Sequence, residues 1–163
     1  MSTVIIVIAT VALMIFINGL YVAAEFATVS SRRTRISQMA GSGNKMATML
    51  EPIMENPAAL DNYIAACQIG ITISSLVLGA YGQNVIAGYL VRPLSFISGG
   101  TTAAESLAFL IVLGVITMLQ VILGELFPKS VAIQYPENVA LAVVVPMRVS
   151  LVVLRPLIWL FNG

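Results

Sequence analysis

Three long stretches without a charged side chain constrain this chain more than any other feature of its sequence. They run over residues 1–24, 62–91 and 106–124, and a helix that crosses a bilayer needs about 20 consecutive, mostly apolar residues. Charged residues make up only 9% of the 163 residues, whereas soluble domains usually have about 25%. The sequence therefore predicts an all-α membrane protein with three transmembrane helices per protomer.

The rest of the chain is organised around these spans as a single domain over residues 1–163. We expect spans at about 3–29, 62–91 and 106–133, short juxtamembrane helices at about 31–60 and a last helix at about 136–162. The last apolar stretch is interrupted by Pro146, Arg148, Arg155 and Pro156. These interruptions favour an amphipathic belt helix at the membrane surface, with a fourth span as the alternative.

Basic residues predict the orientation in the membrane. Arg32, Arg33, Arg35 and Lys45 follow the first span, and such residues collect in cytoplasmic loops. The prediction is a multi-pass protein of the cell membrane with its N-terminus outside and its C-terminus in the cytoplasm. The juxtamembrane helices should break at residues 41–43 and 56–57, where glycine, asparagine and proline occur. Their apolar face should lie against the membrane or a partner subunit.

Composition argues against several classes of function. The chain has one cysteine, Cys67, and no histidine, so an intrachain disulfide and the usual zinc and iron–sulfur sites are excluded. The net charge is only +1, which argues against a nucleic-acid partner, because binding nucleic acid requires a clustered basic surface. No pairing of a nucleophile with a base is evident, so the prediction is that the protein is not an enzyme and has no catalytic residues.

Glu125 is the most informative single residue, because it places an acid inside an apolar segment three residues before Pro128. An ionisable group at membrane depth usually marks an ion pathway. Proline has no N–H, so the helix should break here and the carbonyl of Gly124 should lose its helical partner. A carbonyl beside a carboxylate suits a hard cation such as Mg2+. The alternative is a simple kink in which Glu125 pairs with Lys129.

The other two spans also carry polar faces. Asn18 and Glu25 lie seven residues apart on one face of the first span, although Glu25 could instead reach water or pair with a nearby arginine. The second span carries a stripe that should face the bundle interior: Gln68, Thr72, Ser75 and Gly79, with Ser74 beside it. A single hydroxyl in such a helix more often bonds to its own backbone. Together, however, the polar faces of three spans can be buried only against one another.

Three segments carry a resemblance to a known family. Residues 18–26 (NGLYVAAEF), 68–75 (QIGITISS) and 124–132 (GELFPKSVA) together resemble the transmembrane domain of the CorC/CNNM family of magnesium transporters. The likeness covers nearly the whole chain. It implies a homodimer of three-span protomers with a belt helix, in which Mg2+ is exported and Na+ serves as the coupling ion.

The resemblance also implies a ligand set. It maps the magnesium ligands onto Glu125, the carbonyl of Gly124, Asn18, and Ser74 or Ser75, with Thr72 and Glu25 as further candidates. Members of the family continue into cytoplasmic nucleotide-binding CBS modules, which would be partners of this domain and are absent from the 163 residues. The alternative function is a non-transporting dimeric anchor that senses Mg2+ and acts through those modules.

Overall fold

The computed structural model describes residues 2–86, 88, 89, 91 and 101–162, and this part of the chain contains no β-strand. Its helices are α1 Ser2–Ser30, α2 Arg33–Gly41, α3 Lys45–Glu55, α4 Pro57–Tyr81, α5 Thr101–Leu119, α6 Phe127–Gln134, α7 Pro136–Val153 and α8 Arg155–Asn162. Two π-helical segments complete the list, Gly82–Ile86 after α4 and Gln120–Leu126 between α5 and α6. The all-helical fold class is confirmed, and part of the expected end of the second span, at residues 87 and 90, lies outside the described residues.

Among the residues that the structure describes, four helical stretches are long and apolar enough to cross a membrane: Thr3–Ser30, Pro57–Ile86, Ala104–Gln134 and Pro136–Val153. The first three correspond to the three expected spans. The fourth is the helix expected to be a belt, and its 18 residues are close to the minimum length for a span. By length and composition, Pro136–Val153 is therefore compatible with a fourth span as well as with a belt helix.

The short helices α2 and α3 begin and end where local chemistry predicts. Gly43 has a φ of 90°, a left-handed conformation that glycine adopts without strain, and it separates the two helices. Asn44 caps α3 by accepting hydrogen bonds from the backbone N–H groups of Met46 and Ala47. Asn56 caps α4 in the same way, directly before Pro57. The two expected breaks are confirmed.

The apolar face of α2 and α3 packs differently from the prediction. It was expected to lie against the membrane or a partner subunit, but Ile36 and Leu50 are buried in one cluster with Ala27 of α1 and Val144 of α7. The hairpin thus closes one end of the chain's own helical bundle, which we call the juxtamembrane end. The prediction was wrong because α7 returns to this end and supplies the apolar surface.

Helix α7 lies along the parts of α1 and α4 nearest to the juxtamembrane end. Met147 is buried together with Ala24 of α1 and with Tyr63 and Cys67 of α4. A side-chain hydrogen bond of 2.9 Å joins Tyr21 of α1 to Ser150 of α7. These contacts attach α7 to the two spans that carry Asn18 and Ser74.

Candidate functional site

The π-helical segment Gln120–Leu126 determines the shape of the site. The backbone N–H of Phe127 donates to the carbonyl of Ile122, five residues earlier, so the turn is wider than in an α-helix. The chain continues helically through Pro128, which corrects the expectation that the helix breaks at this proline. Widening the preceding turn accommodates the missing N–H and the bulk of the ring without ending the helix.

The carbonyl of Gly124 finds its partner on another helix. It accepts a hydrogen bond of 3.1 Å from the side-chain amide nitrogen of Asn18. Asn18 is completely buried, and its amide oxygen accepts from the hydroxyls of Ser74 at 2.7 Å and Ser75 at 3.3 Å. The side chain of Gln120 donates to the Ser75 hydroxyl. One buried asparagine thus joins α1, α4 and the π-helical segment through neighbouring oxygen atoms.

Small residues allow this close approach. A Cβ atom at Gly19 would lie 2.9 Å from the ring carbon Cγ of Pro128, closer than carbon atoms pack. A Cβ atom at Gly70 would lie 2.5 Å from the aromatic ring of Tyr21. Glycine at these two positions lets α1 contact α6 and α4 near Asn18.

Glu125, which follows Gly124 in the chain, is half-buried. Within the part of the chain that the structure describes, no ion pair joins it to Lys129, although the two residues are four apart. The Lys129 ammonium lies instead 4.3 Å from the centre of the Phe26 ring on α1. The alternative of a kink with a Glu125–Lys129 pair is therefore not the arrangement found.

Glu25 and Thr72 lie apart from the Asn18 cluster. Glu25 is half-buried, and its carboxylate interacts with the side chain of Gln68 and with the charge of Lys129. Thr72 is exposed and donates its hydroxyl to the carbonyl of Gln68, 2.8 Å away. The structure brings together Asn18, Ser74, Ser75 and Gly124, with Glu125 adjacent in the chain to Gly124.

The polar stripe predicted on α4 does not coincide with the face of α4 that is buried in the structure. Gln68 and Thr72 are exposed in the single chain. The buried positions are Tyr63, Ala66, Cys67, Gly70, Ser74 and Leu78. The expectation was wrong for Thr72, whose hydroxyl bonds to its own helix, whereas Gln68, although exposed, interacts with Glu25 of α1. The Tyr21 ring packs against Gly70 on the buried face of α4.

Two residues outside the predicted ligand set prove to be connected to the site. Gln120 lies one turn before Gly124, and that spacing alone could have added it to the candidates. Tyr21 follows Asn18 by three residues and so lies on the same side of α1. Because the span is apolar, the Tyr21 hydroxyl needs a hydrogen-bond partner, and Ser150 provides it. No sequence signal pairs Tyr21 with Ser150 specifically.

The site offers a hard-cation ligand set with a single carboxylate. Among the described residues, no three histidine, cysteine, aspartate or glutamate side chains lie close enough to hold a metal ion together. The available donors are neutral oxygens: the Asn18 amide, the Ser74 and Ser75 hydroxyls and the Gly124 carbonyl, with the Glu125 carboxylate as the charged group. Oxygen-only ligation with little charge suits weak, reversible binding of a cation such as Mg2+.

Comparison with known proteins gives a consistent match over most of the chain. The family described as the cyclin M transmembrane N-terminal domain (CNNM) matches residues 8–163. The UPF0053 protein YhdT of Bacillus subtilis is 35% identical over 153 residues, which cover 94% of this chain and 32% of that protein. YhdP of the same organism is 37% identical over 155 residues, 94% of this chain and 34% of the relative.

A relative with a functional name is more distant. The polyamine export protein of Haemophilus influenzae is 30% identical over 159 residues, 96% of this chain and 35% of that protein. The chain thus spans about one third of the length of these relatives.

Proposed function

Because the chain belongs to the cyclin M transmembrane N-terminal domain family, we propose that it is the membrane domain of a Mg2+ exporter. The observation that carries this proposal is the convergence of Asn18, Ser74 and the Gly124 carbonyl, with Glu125 next to Gly124 in the chain. In the proposed cycle, Mg2+ reaches this oxygen cluster from the cytoplasm, and a rearrangement of the helices exposes it outward. Binding near irregular backbone within the membrane is common in secondary transporters.

Each group has a role in the proposal. Glu125 supplies the negative charge that attracts the ion, and the Gly124 carbonyl becomes available when Asn18 turns its amide oxygen toward the ion. Ser74 and Ser75 contribute neutral oxygens in exchange for their hydrogen bonds to Asn18. Because these ligand groups hydrogen-bond to one another when Mg2+ is absent, they are not left unpaired in the membrane. Mg2+ must break these hydrogen bonds to bind, which reduces the free energy of binding and favours release.

The proposal includes Na+ as the coupling ion, a homodimer and an N-terminus outside the cell. The exposed residues Arg32, directly before α2, and Arg33 and Arg35, in its first turn, support a cytoplasmic position for the juxtamembrane end. The contacts of α7 with that end support the role of α7 as a belt, from which CBS modules of a longer protein would continue.

Linear polyamines are a second candidate cargo, because one relative is named as their exporter. The compact oxygen cluster around Asn18, with one carboxylate at the next residue after Gly124, favours a small divalent ion over an extended polycation. Competition for binding therefore discriminates between the two cargoes.

Calorimetry and vesicle flux test the proposal. Purified protein should bind Mg2+, and Glu125→Gln should lower the affinity at least tenfold, whereas Glu105→Gln, an exposed acid in α5, should not change it. Proteoliposomes should move Mg2+ when Na+ is present on the opposite side, and replacing Na+ with a large organic cation should stop this flux. Binding without flux would support the sensor alternative, and stronger binding of spermidine than of Mg2+ would support polyamine transport.

A further inference from the structure

The Lys129 side chain is turned away from the acid nearest to it in sequence. Lys129 follows Glu125 by four residues, a spacing at which opposite charges commonly pair on a helix. Its ammonium nevertheless lies over the ring of Phe26, 4.3 Å from the ring centre. Glu25, which precedes Phe26, is the acid that interacts with this charge. Lys129, the only lysine between residues 101 and 162, thus interacts with two residues of α1.

This arrangement matters for a cation site because an ammonium group competes with any cation for a carboxylate. A lysine paired with Glu125 would neutralise the charge on which the proposed Mg2+ site depends. Glu125 lies in the π-helical segment, which ends at Leu126, whereas Lys129 lies in the α-helix that follows it. The Phe26 ring then offers the ammonium an alternative position, since aromatic faces attract cations.

We propose that Phe26 is a positioning residue that keeps the Lys129 ammonium away from Glu125. Glu125 is thereby left free for the transported ion. This inference rests on the proposed function for its consequence, but the position of Lys129 can be tested without Mg2+. Phe26 also packs against the apolar cluster around Ala27 and Ile36, so leucine preserves an apolar side chain there while removing the aromatic face.

The first test measures Mg2+ affinity by calorimetry in five forms of the protein. Phe26→Leu should weaken binding about fivefold, which corresponds to the loss of a cation–π contact of about 1 kcal/mol. Phe26→Tyr, which keeps the aromatic face, should bind as the wild type does. In the double variant Phe26→Leu/Lys129→Met, affinity should return to that of Lys129→Met alone, because the competing ammonium is gone.

The second test needs no metal ion. A double-mutant cycle of thermal unfolding with Glu125→Gln and Lys129→Met should show no coupling between the two residues when Phe26 is present. The same cycle in the Phe26→Leu background should show coupling that decreases with added salt, because the released lysine pairs with Glu125.

The outcomes separate this inference from the proposed function. If Phe26→Leu creates no coupling between Glu125 and Lys129, the positioning role is refuted, whatever the protein transports. It is refuted equally if Phe26→Leu weakens Mg2+ binding to the same extent in the Lys129→Met background. If the coupling arises as expected but the wild type binds no Mg2+, the positioning role stands and the proposed magnesium site fails.

Discussion

The side-chain amide of Asn18 donates a hydrogen bond to the main-chain carbonyl of Gly124, 106 residues later in the chain. In a regular α-helix that carbonyl would accept from the N–H of residue 128, which proline lacks. The bond therefore links a defect in one helix to a polar side chain in another. Since neither group can reach water in the membrane interior, each satisfies the other.

Replacing Asn18 should affect both stability and ion binding. Asn18→Leu leaves the Gly124 carbonyl without its donor, while the Ser74 hydroxyl keeps the carbonyl of Ile71, 3.0 Å away, as its acceptor. We expect a loss of about 1–2 kcal/mol in the free energy of unfolding. Asn18→Asp keeps an acceptor for Ser74 but places a negative charge against the carbonyl. This variant should be less stable than the wild type without Mg2+ and should gain more thermal stability from added Mg2+. Thermal unfolding with and without Mg2+ measures both effects, and an equal Mg2+ shift in Asn18→Asp and wild type would remove Asn18 from the site.

The sequence predicts the members of this cluster better than their arrangement. Asn18 and Ser74 stand out as polar groups in apolar spans, and the lost N–H of Pro128 follows from covalent structure alone. The ends of α2, α3 and α4 are also predictable, because glycine, asparagine and proline act within a few residues. These are local effects, and a single sequence displays them directly.

The rotation of α4 and the π-helical segment are not local effects. Ser74 and Thr72 lie two residues apart, about 200° around a helix, so choosing the buried one requires knowing that Tyr21 packs on Gly70. An α-turn and a π-turn differ only in which carbonyl accepts each N–H, and apolar periodicity does not distinguish them over seven residues. The direction of Lys129 depends likewise on Phe26, which is distant in sequence.

Ser74 and Thr72 provide a matched pair of hydroxyl deletions in the same helix. Ser74→Ala removes a buried donor to Asn18, so it should weaken Mg2+ binding severalfold and cost about 1 kcal/mol of stability. Thr72→Ala removes an exposed hydroxyl that bonds to its own helix, so it should change neither measurement by more than a few tenths of a kcal/mol. Calorimetry and thermal unfolding of the two variants provide the comparison. A larger effect of Thr72→Ala would place the ion on the other face of α4.

Gly19 should be intolerant of even one added methyl group. Gly19→Ala would place its Cβ atom against the Pro128 ring, so α1 and α6 must separate or the variant loses about 1–3 kcal/mol to overpacking. Gly114→Ala in α5 is the control, because its added Cβ would meet nothing within 4 Å. We expect Gly19→Ala to lower both the unfolding temperature and the Mg2+ affinity, and Gly114→Ala to leave affinity unchanged. Retained affinity in a stable Gly19→Ala variant would show that the close contact with Pro128 is not needed by the site.

Two tyrosines should respond oppositely to the loss of their hydroxyl groups. The Tyr21 hydroxyl bonds to Ser150, so Tyr21→Phe should cost about 1 kcal/mol and loosen the attachment of α7 to α1. Ser150→Ala should cost a similar amount, and the double variant should be no worse than either single one.

Tyr63 is fully buried, and its hydroxyl and that of Thr28 are both buried without a hydrogen-bond partner. A buried polar group that makes no bond is destabilising. Tyr63→Phe should therefore leave the unfolding temperature unchanged or raise it. Thermal unfolding of Tyr21→Phe and Tyr63→Phe under identical conditions tests the contrast. Destabilisation by Tyr63→Phe that disappears in the Thr28→Val background would show instead that these two hydroxyls bond to each other across the α1–α4 contact.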